Sequence, residues 1–176
     1  MKPTLPLLAL ASLALSAQEP AIGLRAQALI PMGDLRSLTG GQVGIGGGVF
    51  VTIPGSRGLV LRPTVGGQIF PKGDPGGLTG SRTTVYTMDL MMEALWYPGE
   101  DPARGPYLVG ALGGQHWRVS PQGGTATPVT ATRLGASGGL GWQFAPNVGL
   151  EVRGFWSPIS QGLTASGLQA AVAVSF

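Results

Sequence analysis

From about Ile22 to the C-terminus, apolar residues recur at every second position, and short turn clusters interrupt them. A period of two is the signature of a strand with one apolar face. The alternation predicts strands near 22–31, 42–53, 58–71, 83–97, 106–119, 126–145, 148–157 and 163–176. No stretch sustains a helical repeat. Between the strands lie Pro31-Met32-Gly33-Asp34, Pro54-Gly55-Ser56, Asp74-Pro75-Gly76-Gly77, Pro98-Gly99-Glu100-Asp101-Pro102 and Pro146-Asn147. These are turn residues, because Pro presets φ and Gly or Asn accepts positive φ. The chain is therefore expected to be all-β.

Separating odd from even positions shows what each face carries. In the first strand Ile22, Leu24, Ala26 and Ile30 oppose Arg25 and Gln27. In the third, Leu59, Leu61, Val65 and Ile69 oppose Arg62, Thr64 and Gln68. In the fourth, Tyr86, Met88, Leu90, Met92, Ala94 and Trp96 oppose Asp89 and Glu93. The sixth sets Leu134, Leu140, Trp142 and Phe144 against Arg133, Ser137 and Gln143, and the seventh sets Val148, Leu150, Val152 and Trp156 against Glu151 and Arg153. In the last, Leu168, Ala170, Val172, Val174 and Phe176 share one row.

A soluble sandwich or a lipocalin-like carrier also alternates, so the polar row decides. It holds Gly, Ala, Ser, Gln and a few Arg and Glu, with hardly a Lys. A water-facing surface is rich in Lys and Glu. Small residues with Arg–carboxylate pairs suit a crowded interior instead. The apolar row is thus expected to face lipid and the polar row a narrow lumen. The result is an eight-stranded antiparallel up-and-down transmembrane β-barrel. An even strand number puts both ends on one side, here the periplasm. The connections near 54–57, 98–105 and 145–147 would lie on that side, and those near 31–41, 72–82, 120–126 and 158–162 outside. Trp96 and Trp142, joined by Tyr107 and Phe176, are expected to form one interfacial belt, and Trp117 and Trp156 the other.

The start of the chain is of another kind. Met1-Lys2 is a short positive region, Leu5 to Leu15 an uncharged apolar run, and Ser16-Ala17-Gln18 a small-residue exit. This pattern predicts an export signal over 1–17 and a barrel over 18–176. Composition agrees. Charged residues make up only 11 % and hydrophobic ones 43 %, which excludes a disordered chain despite 31 Gly and 15 Pro. The absence of Cys removes disulfides, thiolate metal sites and cysteine nucleophiles. A net charge of +3, scattered along the chain, gives no footprint for nucleic acid.

Two stretches carry a resemblance. Gly141-Trp142-Gln143-Phe144-Ala145-Pro146-Asn147-Val148-Gly149-Leu150-Glu151-Val152-Arg153 resembles the sixth-to-seventh hairpin of small outer-membrane barrels of the OmpA/OmpX type. The ending Leu168, Ala170, Val172, Val174, Phe176 resembles the signal such proteins present to the barrel-assembly machinery. The resemblance implies a location in the outer membrane, outer-membrane lipid and the assembly machinery as partners, and a monomer. Unlike OmpA, the chain is expected to carry no peptidoglycan-binding segment after the barrel.

The candidate functional residues are the inward charges Arg25, Arg62, Asp89, Glu93, Arg118, Arg133, Glu151 and Arg153. They form either a salt-bridged plug or the constriction of a narrow pore, because eight strands leave an interior just wide enough for side chains. His116, the only histidine, has Ser120 and Ser157 as the nearest loop-end serines, with no spacing that makes a nucleophile, base and orienting group. A lipid-modifying enzyme is therefore disfavoured beside a structural or interaction protein, and no cofactor is expected. Gly44-Ile45-Gly46-Gly47-Gly48 precedes no helix and reads as relief of crowding in the lumen, not as a phosphate loop. The acids at Asp34, Asp74 and Glu100-Asp101 lack metal-ligand spacing and read as solvated turns.

Overall fold

A computed structural model describes residues 19–73, 82–122, 127–160 and 162–176. The export signal expected over 1–17 lies outside these residues, as do parts of the outer connections 72–82, 120–126 and 158–162.

The eight strands are β1 (Ala21–Met32), β2 (Gly44–Pro54), β3 (Leu59–Gly73), β4 (Arg82–Trp96), β5 (Gly105–Gln122), β6 (Val129–Ala145), β7 (Val148–Ser160) and β8 (Leu163–Ser175). Each pairs antiparallel with its neighbour in sequence, and the barrel closes where β1 meets β8, from Gly23 opposite Ser175 to Met32 opposite Ser166. The Phe176 N–H donates to the Ile22 carbonyl at 2.8 Å, extending that seam to the last residue. Closure leaves no free edge, as a sheet in lipid requires. Every strand boundary falls within three residues of the one expected from the alternation.

One element was not expected. Gly33–Thr39, in the connection after β1, form a short helix, α1. Two turns are too few for a periodic pattern to stand out, and Pro31 through Asp34 read as a plain turn. Tertiary burial holds the helix. Leu35 and Thr39 point into the barrel mouth, with Leu38 packed beside them. Gly40 closes α1 in the left-handed conformation at φ 61°, a backbone state open to glycine. The Asp34 carboxylate accepts the Thr164 N–H at 3.0 Å, tying α1 to the start of β8, the strand paired with β1.

The two faces of the wall differ as the charges implied. Leu90, Leu112, Leu134 and Leu140 stand outward, each more than 60 % exposed. Inward, the space is occupied in three levels. Under α1 lies an apolar cluster of Leu29, Leu35, Phe70, Val85, Trp117, Val119, Phe155, Ile159 and Ala165. Toward the end that carries the chain termini lies a second, of Val60, Leu95, Tyr97, Tyr107 and Val109. Between them sit the buried charges.

Candidate functional site: the barrel interior

Five of the eight expected charges meet there. Arg25 comes from β1, Arg62 from β3, Glu93 from β4, and Glu151 and Arg153 from β7. Glu93 takes three arginines: Arg25 Nη1 at 2.5 Å, Arg62 Nε at 2.7 Å, and both terminal nitrogens of Arg153 at 2.8 and 3.0 Å. Glu151 is held by Arg62 Nη2 at 2.5 Å, by Arg153 Nη2, and by the Tyr107 hydroxyl, which donates at 2.9 Å. All five charged side chains are at most 5 % exposed. Ions so far from water are tolerated only when paired and hydrogen-bonded, and the planar guanidinium fork lets one Arg serve two carboxylates. Small inward neighbours make the room. Gly48 and Ala173 stand opposite Arg25, and Ala111 stands opposite Glu93.

The remaining three charges lie elsewhere. Asp89 is buried on the inward row, but it forms no ion pair among the described residues, and its Oδ1 has no hydrogen-bond partner. Arg133 keeps the inward register, opposite Gln115, yet it is exposed near the strand end and donates to the Thr132 carbonyl at 3.4 Å. Arg118 reverses the expectation. It is exposed and lies on the outward row, between Tyr86 and Thr130.

The same phase error moves two aromatics. Trp96, Trp142, Trp156 and Phe176 are exposed on the outer face. Tyr107 and Trp117 are not belt residues; each is 1 % exposed and points inward. Trp117 stacks on Phe155 with ring centroids 6.3 Å apart, and its indole N–H donates to Ser157 Oγ at 3.2 Å. Ser157 is thereby engaged inside the barrel, while His116 is exposed on the outer face with its Nδ1 2.9 Å from Thr132 Oγ1. The two do not meet. The physical reason lies in β5. Its two rows are both largely small or apolar, so parity rested on Arg118, and a charge near a strand end is free to face outward into the headgroup region.

Sequence reading passed over several interior residues. Tyr97 packs on Tyr107 at 4.8 Å between centroids and donates to Gln143 Oε1 at 3.4 Å. Burial raises the Tyr97 phenol to about 12, with Arg62 opposing and Glu151 adding, so it stays a donor. The Arg62 guanidinium lies 4.9 Å from the centre of the Phe50 ring. Gln169 donates to Gln27. Tyr97 shares parity with Glu93, and that was the available signal; Gln27 already stood with Arg25 on the polar row. Gly141 is needed beside them, since a Cβ there would fall on the Tyr107 ring. At the termini end a cavity of about 330 Å³ reaches in past Phe50 and Tyr97 to Arg62.

A closed eight-stranded antiparallel barrel with a largely apolar exterior, Arg118 excepted, and its other described strand charges on the inward row is the fold of small outer-membrane β-barrels. Solved structures agree on the fold. The chain is similar to Ail, the attachment invasion locus protein of Yersinia pestis, solved with the heparin analogue sucrose octasulfate (13 % identity, 89 % of this chain and 96 % of that one, TM-score 0.60). It is similar to the N-terminal β-barrel domain of Pseudomonas aeruginosa OprF (10 % identity, 89 % and 97 %, TM-score 0.59). It is also similar to Neisserial surface protein A (19 % identity, 89 % and 97 %, TM-score 0.54). No protein-family model and no curated protein matches the chain.

Proposed function

We propose that the protein is an outer-membrane barrel closed to solute flow, with a structural or interaction role carried by the end at which α1 sits. The observation that carries this reading is the Arg25–Arg62–Glu93–Glu151–Arg153 network, which joins β1, β3, β4 and β7 across the lumen. A permeating ion would have to part pairs that no water replaces. The apolar cluster under Leu35 is a second barrier on the same path. In this reading 1–17 direct export, 18–176 form the barrel, and the monomer is inserted by the barrel-assembly machinery through the row ending in Phe176. No enzymatic role is assigned, since His116 and Ser157 lie on opposite faces of the wall. Ail, named for attachment and solved with a heparin analogue, is a precedent for interaction on this fold.

The cavity that reaches Arg62 from the termini end favours a narrow pore as the second reading, because there the path is already open. Planar-bilayer recording separates the two. The purified protein is expected to be silent, and Glu93→Ala and Glu151→Ala to raise conductance or anion leak. Steady unitary conductance of the unmodified protein refutes the closed barrel. Silence of both folded variants would make the network purely structural.

A further inference from the structure

The outer face carries one patch that membrane burial alone does not explain. Among the described side chains, Arg118 is the only charged one on the outward strand rows, and His116 precedes it by two residues on the same row of β5. The register places them in a line with polar groups from neighbouring strands. Tyr86, Arg118 and Thr130 stand abreast on β4, β5 and β6, and Met88, His116 and Thr132 form the next row. No carboxylate among the described residues pairs with Arg118. Beside this line a groove of about 470 Å³ opens on the membrane-facing surface. Ile45, Ile69, Met88 and the Tyr86 ring line it on β2 to β4, and His116 and Arg118 on β5. Gly67, opposite Gly47 in register, leaves its floor without side chains.

The height of the patch is informative. Leu108 stands opposite Trp96, an outward aromatic near the termini end. Arg118 is ten residues further along β5, about 26 Å for a strand tilted by roughly 40°. That matches the apolar band of a barrel, ~25 Å tall. Arg118 and His116 therefore sit at the headgroup boundary on the α1 side, and the groove runs below them into the acyl region.

We infer that this groove is a binding site for a phosphorylated glycolipid of the outer leaflet. Arg118 supplies a fixed cation for a phosphate. His116, whose Nδ1 faces Thr132, presents its other ring nitrogen to the same group. From Tyr86 to Thr130 the patch spans two strand spacings, about 10 Å. That is wider than one phosphodiester, and its hydroxyls and aromatic ring suit a sugar. The aliphatic groove takes an acyl chain. The inference rests on the sidedness proposed above, with the termini in the periplasm.

The test measures binding of lipid A to the detergent-purified, folded protein by native mass spectrometry. Arg118→Gln, His116→Gln and the control Arg133→Gln are compared, each checked for folding by its heat-dependent gel shift. Arg118→Gln is expected to weaken binding about tenfold, the loss of one charge-assisted contact. His116→Gln should weaken it less and Arg133→Gln not at all. Dephosphorylated lipid A should bind as poorly to the unmodified protein as lipid A does to Arg118→Gln. Equal binding by Arg118→Gln and the unmodified protein, or an equal response to phosphatidylglycerol, overturns the glycolipid site. Orientation is read separately. With no native Cys, Ser37→Cys in exposed α1 should react in intact cells with a membrane-impermeant maleimide. Failure of that labelling in folded protein overturns the sidedness and the glycolipid site together; labelling with unchanged lipid binding overturns the site alone.

Discussion

Glu93→Gln isolates the interior network. The change keeps side-chain volume and removes one charge. In the native protein three buried arginines, Arg25, Arg62 and Arg153, face three buried acids, Asp89, Glu93 and Glu151. Glu93 is the carboxylate that all three arginines touch. Without its charge, Arg62 and Arg153 retain Glu151, but Arg25 loses its only ion pair among the described residues. Leaving a buried charge unpartnered costs about 3–5 kcal/mol. With a denaturant dependence of about 2 kcal/mol per molar urea, the unfolding midpoint in lipid vesicles should fall by roughly 1.5–2.5 M. The double variant Arg25→Met, Glu93→Gln removes the stranded cation and should recover part of that loss. Tryptophan fluorescence and the heat-dependent gel shift both follow the transition. An unchanged midpoint for Glu93→Gln refutes the reasoning, and so does a double variant whose loss is the sum of the single ones.

Two further outcomes probe the wall itself. Leu150→Arg and Val172→Arg place a cation on the outer face and should each lower stability in lipid by about 2–4 kcal/mol, whereas Ala173→Ser, facing inward beside Arg25, should be mild; equal losses in a folding titration would invert the inside–outside assignment. Trp117→Ala should cost about 3–5 kcal/mol because it empties the cluster against Phe155 and frees Ser157, while exposed Trp142→Ala should cost much less; similar unfolding midpoints for the two would return Trp117 to the outer face.

Much of this architecture was legible from local pattern. Strand number and boundaries follow from alternation and turn residues. Where a strand carries charge in its middle, as with Arg62, Glu93 and Arg153, parity tells inside from outside, because a charge deep in hydrocarbon has no partner. Parity placed the five members on the inward row, but together with Asp89, Arg118 and Arg133, which do not join their ion pairs. Other features depended on the closed barrel. Which arginine meets which carboxylate is set by the register and by distances across the lumen, which link residues as far apart as Arg25 and Glu93. Asp89 shares their row yet stays outside the ion pairs, a matter of height along the barrel. The phase of β5 was illegible because both rows are apolar and Arg118 lies where a charge can face either way. Helix α1 is two turns long and forms because the mouth of the barrel buries Leu35. A local pattern records which face of a strand avoids water, whereas pairing and stoppering are settled only when eight strands close around a common space.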